Sequence, residues 1–407
     1  MTAEQIRPVP LPGTQHFINP KQIPAERDFG ALSAFGATVR WMGVAGAVFM
    51  LIMAVYLILD GALGLGSTGV ARLFDLATNP VIGLLIGILA TAAIQSSTAV
   101  TALTVTAVGT GGISLSVAIP IILGANIGTT ITASIVAFSY IGDRTSFRRA
   151  FASASLHTWF NTLFALAAFI LELAFQPLSR FANIVSGSVG GEDPSDTGRG
   201  LFQLYSPLID ALGVDGLLGS LFDRRLAAVL AILLGTLLVL AAIRIINAQL
   251  SVLTAATTRT LLERSSGASD ALGVTSGTLV TMAVNASSVT VSSLLPFSVA
   301  RTLTMREVLS VTLGANVGTT LMALLAALAV PGQLGVLAVQ AALVHVIFNV
   351  LGTMLVLVFP PLRARIIALA ELSGRVAARG YSVAAAAMAM GYFFIPALVI
   401  LVYSLAT

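Results

Sequence analysis

The sequence predicts an all-α polytopic membrane protein built from two inverted-topology repeats with re-entrant hairpins and broken transmembrane helices. Hydrophobic residues make up 57% of the 407 residues and charged residues only 9%, and the mean hydropathy is +0.97. A soluble globule of this composition would expose too much hydrocarbon to water. Several apolar stretches also exceed the roughly 18 residues that a helix needs to cross a bilayer. An internal sequence repeat predicts the two-fold organisation.

The repeat is clearest in two pairs of polar segments. GANIGTT at 124–130 returns as GANVGTT at 314–320. QSST at 95–98 precedes the first copy by the same number of residues as NASS at 285–288 precedes the second. Each segment interrupts an apolar helical pattern with Gly, Asn, Ser or Thr. Paired interruptions of this kind in the two halves of a membrane protein indicate a transport site.

A third pair of segments extends the repeat downstream. HTWFN at 157–161 matches HVIFN at 345–349, so two of the three histidines lie at corresponding positions. We expect His157 and His345 to be structural, each bonding a carbonyl near an interrupted span. Contact with substrate, or proton transfer, is the alternative.

The chain is predicted to divide into alternating membrane and surface parts. In order these are a cytoplasmic N-terminal segment (1–38), a first span with an outer turn (39–79), repeat 1 (80–175), an extracytoplasmic loop (176–223), a linking span with a cytoplasmic segment (224–271), repeat 2 (272–360), and a basic cytoplasmic segment with the last span (361–407).

Within each repeat, two apolar pieces that are too short to cross a bilayer flank a polar tip. We interpret each pair as a re-entrant hairpin, because loose backbone groups are tolerated at membrane depth only where protein or a water-filled cavity satisfies them. The predicted hairpin pieces are 80–94 with 98–109, and 272–284 with 289–300. The predicted spans are 41–60, which ends at Asp60, 114–138, 150–175, 225–248, 307–330, 335–358 and 382–404, of which 114–138 and 307–330 are broken at the glycine-rich segments.

The basic residues predict the orientation of these spans. Each hairpin returns to the side of the membrane from which it enters, and the two full spans of a repeat cross in opposite directions. Each repeat therefore makes no net crossing. The single linking span then starts the second repeat on the opposite side, so the repeats have inverted topology. With this topology, every Lys and Arg except five lies on the same side of the membrane as the N-terminus. The five on the opposite side are Arg72, Arg180, Arg199, Arg224 and Arg225. The positive-inside rule makes the N-terminus cytoplasmic and the acidic 176–223 loop external.

Four polar segments that meet at the repeat interface would supply hydroxyls, carboxamides and free backbone groups with very few charges. Helix N-termini present N–H donors to an anion, while carbonyls and helix C-termini suit a hard cation. The anion candidates are Ser96, Ser97, Thr98, Ser287 and Ser288. The candidates for either ion are Gln95, Asn126, Thr129, Thr130, Asn285, Asn316, Thr319 and Thr320.

Other interpretations of these segments stay open. The repeated GxxxG pattern also allows close helix packing, and Gln95 alone could serve an interhelical hydrogen bond. An enzymatic function has little support, because the sequence lacks a metal-ligand cluster, a nucleotide-binding loop and a nucleophile with a base and an orienting group.

At these residues the sequence resembles the type II sodium-dependent phosphate cotransporters. The similarity is carried by QSST at 95–98, IPIILGANIGTT at 119–130, GDRTSFRRAF at 142–151 and HTWFN at 157–161, and it covers about 80–165 and 275–360. The resemblance implies that the ions are sodium and inorganic phosphate, with no other metal and no cofactor. It implies phosphate binding by Gln95, Ser96, Ser97, Thr98, Asn285, Ser287 and Ser288. It implies sodium binding by Gln95, Asn126, Thr129, Thr130, Asn161, Ser287, Asn316, Thr319, Thr320 and Asn349.

The sequence departs from the family pattern at two places. Asn285-Ala286 stands where the second copy of the family's Gln-Ser-Ser-Ser motif has Gln-Ser, which affects substrate affinity more than substrate class. Thr158 stands where charge-moving members of the family carry Asp, so the resemblance implies electroneutral transport. Asp143 and Glu172 are the carboxylates of the same repeat that could substitute.

The leading hypothesis is therefore a bacterial-type importer that couples phosphate to sodium by alternating access in the inner (plasma) membrane, without enzymatic activity. A sodium-coupled carrier of sulfate or a dicarboxylate is one alternative, and an anion channel is the other. The expected partners are phosphate, sodium and the lipid bilayer, without nucleic acid. A homodimer is one assembly to test.

Overall fold

The structure is a computed structural model that describes residues 34–189, 194–267, 269–328, 330 and 333–407. Most of the expected N-terminal segment, and residues 190–193 of the expected loop, lie outside the described residues. The chain divides into two units, residues 1–39 and 40–407. The first contributes only the beginning of one helix to the described residues.

All regular structure in the described residues is helical. The helices before the linking span are α1 (Ala34–Phe74), α2 (Pro80–Ile94), α3 (Ser97–Gly109), α4 (Leu115–Gly128), α5 (Ile131–Ala137), α6 (Arg144–Phe175), α7 (Pro177–Val189), α8 (Pro194–Leu212) and α9 (Leu217–Leu221). The linking span and the remainder of the chain form α10 (Arg224–Leu253), α11 (Ala255–Glu263), α12 (Asp270–Val284), α13 (Ser287–Val299), α14 (Met305–Gly318), α15 (Leu321–Leu328), α16 (Gln333–Val358), α17 (Pro360–Arg379), α18 (Tyr381–Ala389) and α19 (Ile395–Ala406). A π-helical turn at Met390–Phe394 joins α18 to α19.

Seven helical segments of the described residues are long and apolar enough to cross a membrane, which confirms the polytopic all-α class. They are Phe35–Leu65, Leu115–Tyr140, Arg144–Phe175, Arg224–Leu253, Met305–Leu328, Gly335–Val358 and Tyr381–Ala406. The shorter apolar helices α2, α3, α12 and α13 form the two predicted hairpins. At 15 and 13 residues, the helices of the first hairpin measure roughly 20 Å, less than the thickness of a bilayer core.

Both hairpins turn at a residue in the left-handed backbone region. Gln95 has φ 58° and Asn285 has φ 61°. The amide N–H of each donates back to a carbonyl one turn earlier, on Thr91 and Thr281 respectively, as in a left-handed helix cap. The next residue is extended, and the second helix begins directly after it.

Within each repeat, the first hairpin helix lies in backbone contact with the interrupted helix. A methyl group placed on Gly124 would lie 2.0 Å from the carbonyl oxygen of Leu84, and one on Gly314 would lie 1.9 Å from that of Val274. The glycines therefore do serve close helix packing between α2 and α4 and between α12 and α14. This role does not compete with the polar site, because the asparagine and threonine side chains of the same segments have other contacts.

The interruption of each broken helix is shorter than the sequence predicts. Helix α4 continues through Gly128, and Thr129 and Thr130 keep right-handed backbone angles, with φ −62° and −74°. The predicted break is therefore present, but it is confined to Thr129 and Thr130 and does not extend over 124–130. The neighbouring α2 backbone supports the glycine-rich turn, so the segment stays helical despite its low intrinsic propensity.

Two surface expectations also need correction. Helix α1 does not end at Asp60, because the Asp60 carboxylate accepts a hydrogen bond from the backbone N–H of Val214 over 2.7 Å and is accommodated inside the helix. The described parts of 176–223 form α7, α8 and α9 instead of a polar loop. Helices α7 and α8 are amphipathic, and Leu178 and Ile209 are buried.

The helix that follows each repeat packs against a helix of the other repeat. Helix α7, which follows repeat 1, packs against α16 of repeat 2, while α17, which follows α16, packs against α6 of repeat 1. The backbone contacts of α2 with α4 and of α12 with α14 recur in the same way. The structure therefore carries the sequence repeat beyond the matched motifs.

We expect Gly124→Ala to destabilise the protein, because its methyl group would overlap the Leu84 carbonyl oxygen. Overpacking of this kind costs about 1–3 kcal/mol. The measurement is the midpoint of thermal unfolding in detergent. Gly46→Ala is the matched control, since nothing lies within 4 Å of the added methyl group and alanine favours the helix. Equal midpoints for the two variants would contradict the packing role.

Candidate ion-binding site between the repeats

The tip of the first hairpin contacts the interrupted helices of both repeats. Ser97 Oγ donates a hydrogen bond to Thr129 Oγ1 over 3.2 Å, and Thr98 Oγ1 lies 3.3 Å from Thr319 Oγ1. The first contact stays within repeat 1, whereas the second joins the repeats. All four side chains are buried. Because each hydroxyl has one proton and two lone pairs, this cluster can present donors to an anion and oxygens to a cation.

The second helix of each hairpin begins at the tip. Ser96 Oγ accepts a hydrogen bond from the backbone N–H of Ala99 over 3.2 Å and caps α3. Ala286, at the corresponding place in repeat 2, supplies no side-chain cap to α13. A helix N-terminus carries unpaired N–H groups and about half a positive charge. The uncapped start of α13 is therefore suited to an anion.

The two tips differ in burial. Asn285 is buried, and its Oδ1 has no hydrogen-bond partner among the described residues. Ser287 and Ser288 beside it are buried as well. Gln95 is exposed instead, and with Ser96 it lines a cavity outside the hydroxyl cluster. A buried oxygen without a partner costs free energy unless a cation or water completes it, so Asn285 Oδ1 is a candidate cation ligand.

Each histidine bonds an asparagine of the opposite repeat. His157 Nε2 lies 2.8 Å from Asn316 Oδ1, and Asn316 Nδ2 donates to Asn161 Oδ1 over 3.5 Å. Asn161 Nδ2 in turn donates to the His157 carbonyl oxygen over 3.0 Å. The expected carbonyl partner of the histidine is thus the side-chain carboxamide of Asn316, on the broken helix of the other repeat.

The histidine–asparagine contact recurs with the repeats exchanged, but the hydrogen bond between the two asparagines runs in the opposite direction. Asn126 Oδ1 lies 3.3 Å from His345 Nε2 and accepts a hydrogen bond from Asn349 Nδ2 over 3.2 Å. Because a carboxamide oxygen only accepts, each imidazole donates from Nε2. Asn349 Oδ1 is left buried without a partner among the described residues. It is a better cation candidate than Asn126 Oδ1, which already accepts from two donors.

Thr158 contacts a residue that the sequence analysis missed. The Tyr392 hydroxyl, buried on the π-helical turn before α19, hydrogen-bonds Thr130 Oγ1 and lies near the Thr158 side chain. The signal available in the sequence is weak, since a lone tyrosine in an apolar span is usually an interface residue. Thr320, the counterpart of Thr130, donates to the Val317 carbonyl oxygen over 2.9 Å.

Asp143 and Glu172, the carboxylates that could substitute for an aspartate at position 158, both cap helices. Asp143 accepts the backbone N–H of Ser146 over 2.8 Å at the start of α6, and hydrogen bonds from Ser146 lower the pKa of Asp143. Glu172 accepts the backbone N–H of Leu178 over 2.8 Å at the start of α7. Each lies roughly 20 Å from Thr158 along α6 at about 1.5 Å per residue. Neither supplies a charge beside Thr158.

Comparison with known proteins identifies the class to which this fold and site belong. The family model described as Na+/Pi-cotransporter matches residues 50–187 and 238–373. The chain therefore belongs to the Na+/Pi-cotransporter family. The matched ranges contain every candidate site residue from the sequence, while Tyr392 lies outside them.

Similar individual proteins carry related names. The chain is 31% identical over 342 residues to sodium-dependent phosphate transport protein 2A of Rattus norvegicus, covering 68% of this chain and 54% of the relative. It is 40% identical over 138 residues to sodium-dependent phosphate transport protein 2B of Homo sapiens, covering 33% and 20%. The chain spans about half the length of the first of these relatives. No solved structure matches it.

We expect the His157–Asn316 contact to couple the repeats energetically. In a double-mutant cycle of His157→Ala and Asn316→Ala, the coupling energy should be about 0.5–3 kcal/mol, because the double variant loses one shared interaction. The measurement is the free energy of unfolding in detergent. His157→Ala with Asn126→Ala is the control cycle, since Asn126 bonds His345 instead. Additivity in both cycles would show that the contact does not join the repeats.

Proposed function

We propose that this protein imports inorganic phosphate coupled to sodium by alternating access, and that it is not an enzyme. The observation that carries the proposal is the cross-repeat hydroxyl and carboxamide cluster, in which the described site residues include no charged side chain. A buried neutral site of this kind suits an anion and cations that compensate each other. The names of the relatives support phosphate and sodium as these ions.

The phosphate would bind where helix N-termini and hydroxyls meet. Donors come from the starts of α3 and α13 and from the side chains around them. The residues assigned to phosphate are Gln95, Ser96, Ser97, Thr98, Asn285, Ser287 and Ser288.

Sodium would bind buried oxygens that have no hydrogen-bond partner among the described residues. Asn285 Oδ1 and Asn349 Oδ1 are the first ligands on this argument, and Asn126 and Asn316 would have to exchange a histidine contact for an ion. The resemblance assigns sodium to Gln95, Asn126, Thr129, Thr130, Asn161, Ser287, Asn316, Thr319, Thr320 and Asn349, and the unpartnered Oδ1 adds Asn285 to this set.

The decisive experiment is phosphate uptake into proteoliposomes with and without an inward sodium gradient. We expect saturable phosphate uptake that requires the sodium gradient. We expect no gradient-driven uptake of sulfate or a dicarboxylate. Gradient-driven uptake of one of those anions would replace phosphate in the proposal. Flux that ignores the sodium gradient and hardly saturates would favour an anion channel, and the absence of all uptake would reject the proposal.

Ser97→Ala tests the hydroxyl cluster. Loss of one hydrogen bond to a charged ligand costs about 1.5–3 kcal/mol, so the half-saturation concentration for phosphate or sodium should rise by roughly tenfold to hundredfold. Ser139→Ala is the control, because Ser139 is exposed and bonds only the nearby Val136 carbonyl oxygen. Normal expression of Ser97→Ala with unchanged half-saturation for both ions would make Ser97 a packing residue.

Transport is proposed to be electroneutral, because the described residues place no carboxylate beside Thr158. Glu172 is the one buried carboxylate among them, and it caps α7. Without a fixed negative charge, an additional sodium ion would be costly near the bilayer centre. Divalent phosphate with two sodium ions is neutral, whereas a third sodium ion would leave one net charge to cross the membrane.

Uptake should therefore stay unchanged when an imposed potassium diffusion potential is reversed. A rate that increases with inside-negative potential would contradict electroneutrality. Thr158→Asp should introduce voltage dependence, because Tyr392 can donate to the new carboxylate and an extra cation can balance it. Thr158→Asn is the matched neutral control and should remain insensitive to voltage.

The location and assembly remain part of the proposal. The segments long enough to cross a membrane support a multi-pass membrane protein, and the basic residues favour a cytoplasmic N-terminus in an inner membrane. Sodium would be a transported ion, with no cofactor required. A homodimer stays a prediction.

A further inference from the structure

A cavity of about 360 Å³ lies beside the tip of the first hairpin. Its walls come from the hairpin and from α10, the helix that links the repeats. Its polar lining consists of Gln95, Ser96, Arg244 and Asn247. At about 30 Å³ per water, the cavity has room for roughly ten waters, enough for a small anion with part of its hydration shell.

The cavity has a positive character. Arg244 is the only charged residue in its lining, and the guanidinium has no hydrogen-bond partner among the described residues. Arg244 lies inside the apolar segment Arg224–Leu253. An arginine in such a segment faces protein, water or the membrane surface, and it binds phosphate oxygens through two parallel N–H donors.

The uncharged groups of the cavity are also free to bind. Asn247 Oδ1 is buried without a partner among the described residues, and a carboxamide can present either its oxygen or its NH2 group by flipping. Ser96 Oγ accepts from Ala99 N–H, so its own proton remains available. The exposed Gln95 carboxamide completes the set.

An arginine whose only role is to lie at the membrane surface does not require the polar side chains of Gln95, Ser96 and Asn247 beside it. We propose that Arg244 and Asn247 form, with Gln95 and Ser96, a binding site for a phosphate-type oxyanion beside the buried hydroxyl cluster, on the side of the membrane that the expected topology makes cytoplasmic. Inorganic phosphate and the phosphate of a lipid headgroup share this chemistry. The assignment to the transported ion rests on the proposed function. Helix α10 then contributes to anion recognition as well as joining the repeats.

The position of the cavity indicates what the site does. Ser96 lines the cavity, and the adjacent Ser97 contacts Thr129 in the buried cluster. An anion held by Arg244 is therefore next to the N-terminus of α3. On the expected topology Arg244 lies toward the cytoplasmic end of α10, so this positive group would hold phosphate on the side where an importer releases it.

The test compares Arg244→Gln and wild type in phosphatidylcholine vesicles by the half-saturation for phosphate on the cytoplasmic face, measured as sodium-dependent phosphate exchange with the concentration varied on that side. We expect an increase of roughly tenfold with little change in maximal rate. Arg244→Lys, which keeps the charge and loses the two-donor geometry, should lie between them, and Asn247→Leu should also raise the half-saturation. Arg225→Gln is the control, because Arg225 is an exposed arginine near the other end of α10.

The outcomes separate the interpretations. Unchanged half-saturation in Arg244→Gln and Asn247→Leu would overturn the phosphate assignment. A second set of vesicles contains phosphatidylglycerol: if this lipid stimulates wild-type uptake and Arg244→Gln loses only that stimulation, the occupant is a lipid headgroup. If neither variant changes either response, the site is rejected.

Failure of the proposed function would look different. Wild-type protein would then show no sodium-driven phosphate uptake at all. Equilibrium binding of radiolabelled phosphate to purified protein in detergent would still test the cavity. Weaker binding by Arg244→Gln than by Arg225→Gln supports the site, and equal binding overturns it.

Discussion

Backbone contact between α2 and α4, and between α12 and α14, is the constraint on which the site depends. A membrane offers little hydrophobic drive for helix association, so close approach of small residues supplies van der Waals contact instead. Gly124 and Gly314 leave no room for a Cβ at these contacts. The approach fixes each hairpin along the interrupted helix, and in repeat 1 it brings the tip to a threonine at the end of that helix. Ser97 and Thr129 then meet as a consequence of glycine packing.

Each repeat is completed by the other. The contact of Thr98 with Thr319 and the two histidine–asparagine pairs all cross between repeats. Buried polar side chains require partners, and an orphaned group costs about 1–3 kcal/mol. Any relative movement of the repeats must therefore replace these contacts with water or ions. Bound sodium could take the place of a histidine N–H at a carboxamide oxygen, which would link ion occupancy to the arrangement of the repeats.

The sequence predicted the hairpins closely because their ends carry strong local signals. Asn79 and Pro80 begin α2, with Asn79 Oδ1 accepting the Val81 N–H over 3.0 Å, and QSST interrupts a continuous apolar pattern. The extent of the break at 124–130 was predicted poorly, because neighbouring helices stabilise a glycine-rich turn that is weak in isolation. The amphipathic pattern of α7 was hidden by its polar composition.

Sequence patterns did not predict the long-range partners. The repeat placed His157 and His345 at matching positions, but their bonds to the asparagines of the opposite repeat depend on packing in three dimensions. Tyr392 was missed for the same reason, because its contact with Thr130 arises from a π-helical turn far along the chain.

The difference between the hairpin tips gives a physical basis for coupling two ions. Ala286 was expected to weaken the second tip by removing a hydroxyl. The missing hydroxyl also leaves α13 without a side-chain cap, next to Asn285 Oδ1, which has no partner in the part of the chain that the structure describes. Donors for an anion and an acceptor for a cation thus occur side by side in a buried place. In such a place the burial of either ion alone costs free energy, and each ion lowers the free-energy cost of burying the other. By linkage, such a pair raises both affinities by the same factor, so coupling would need no charged side chain at the site.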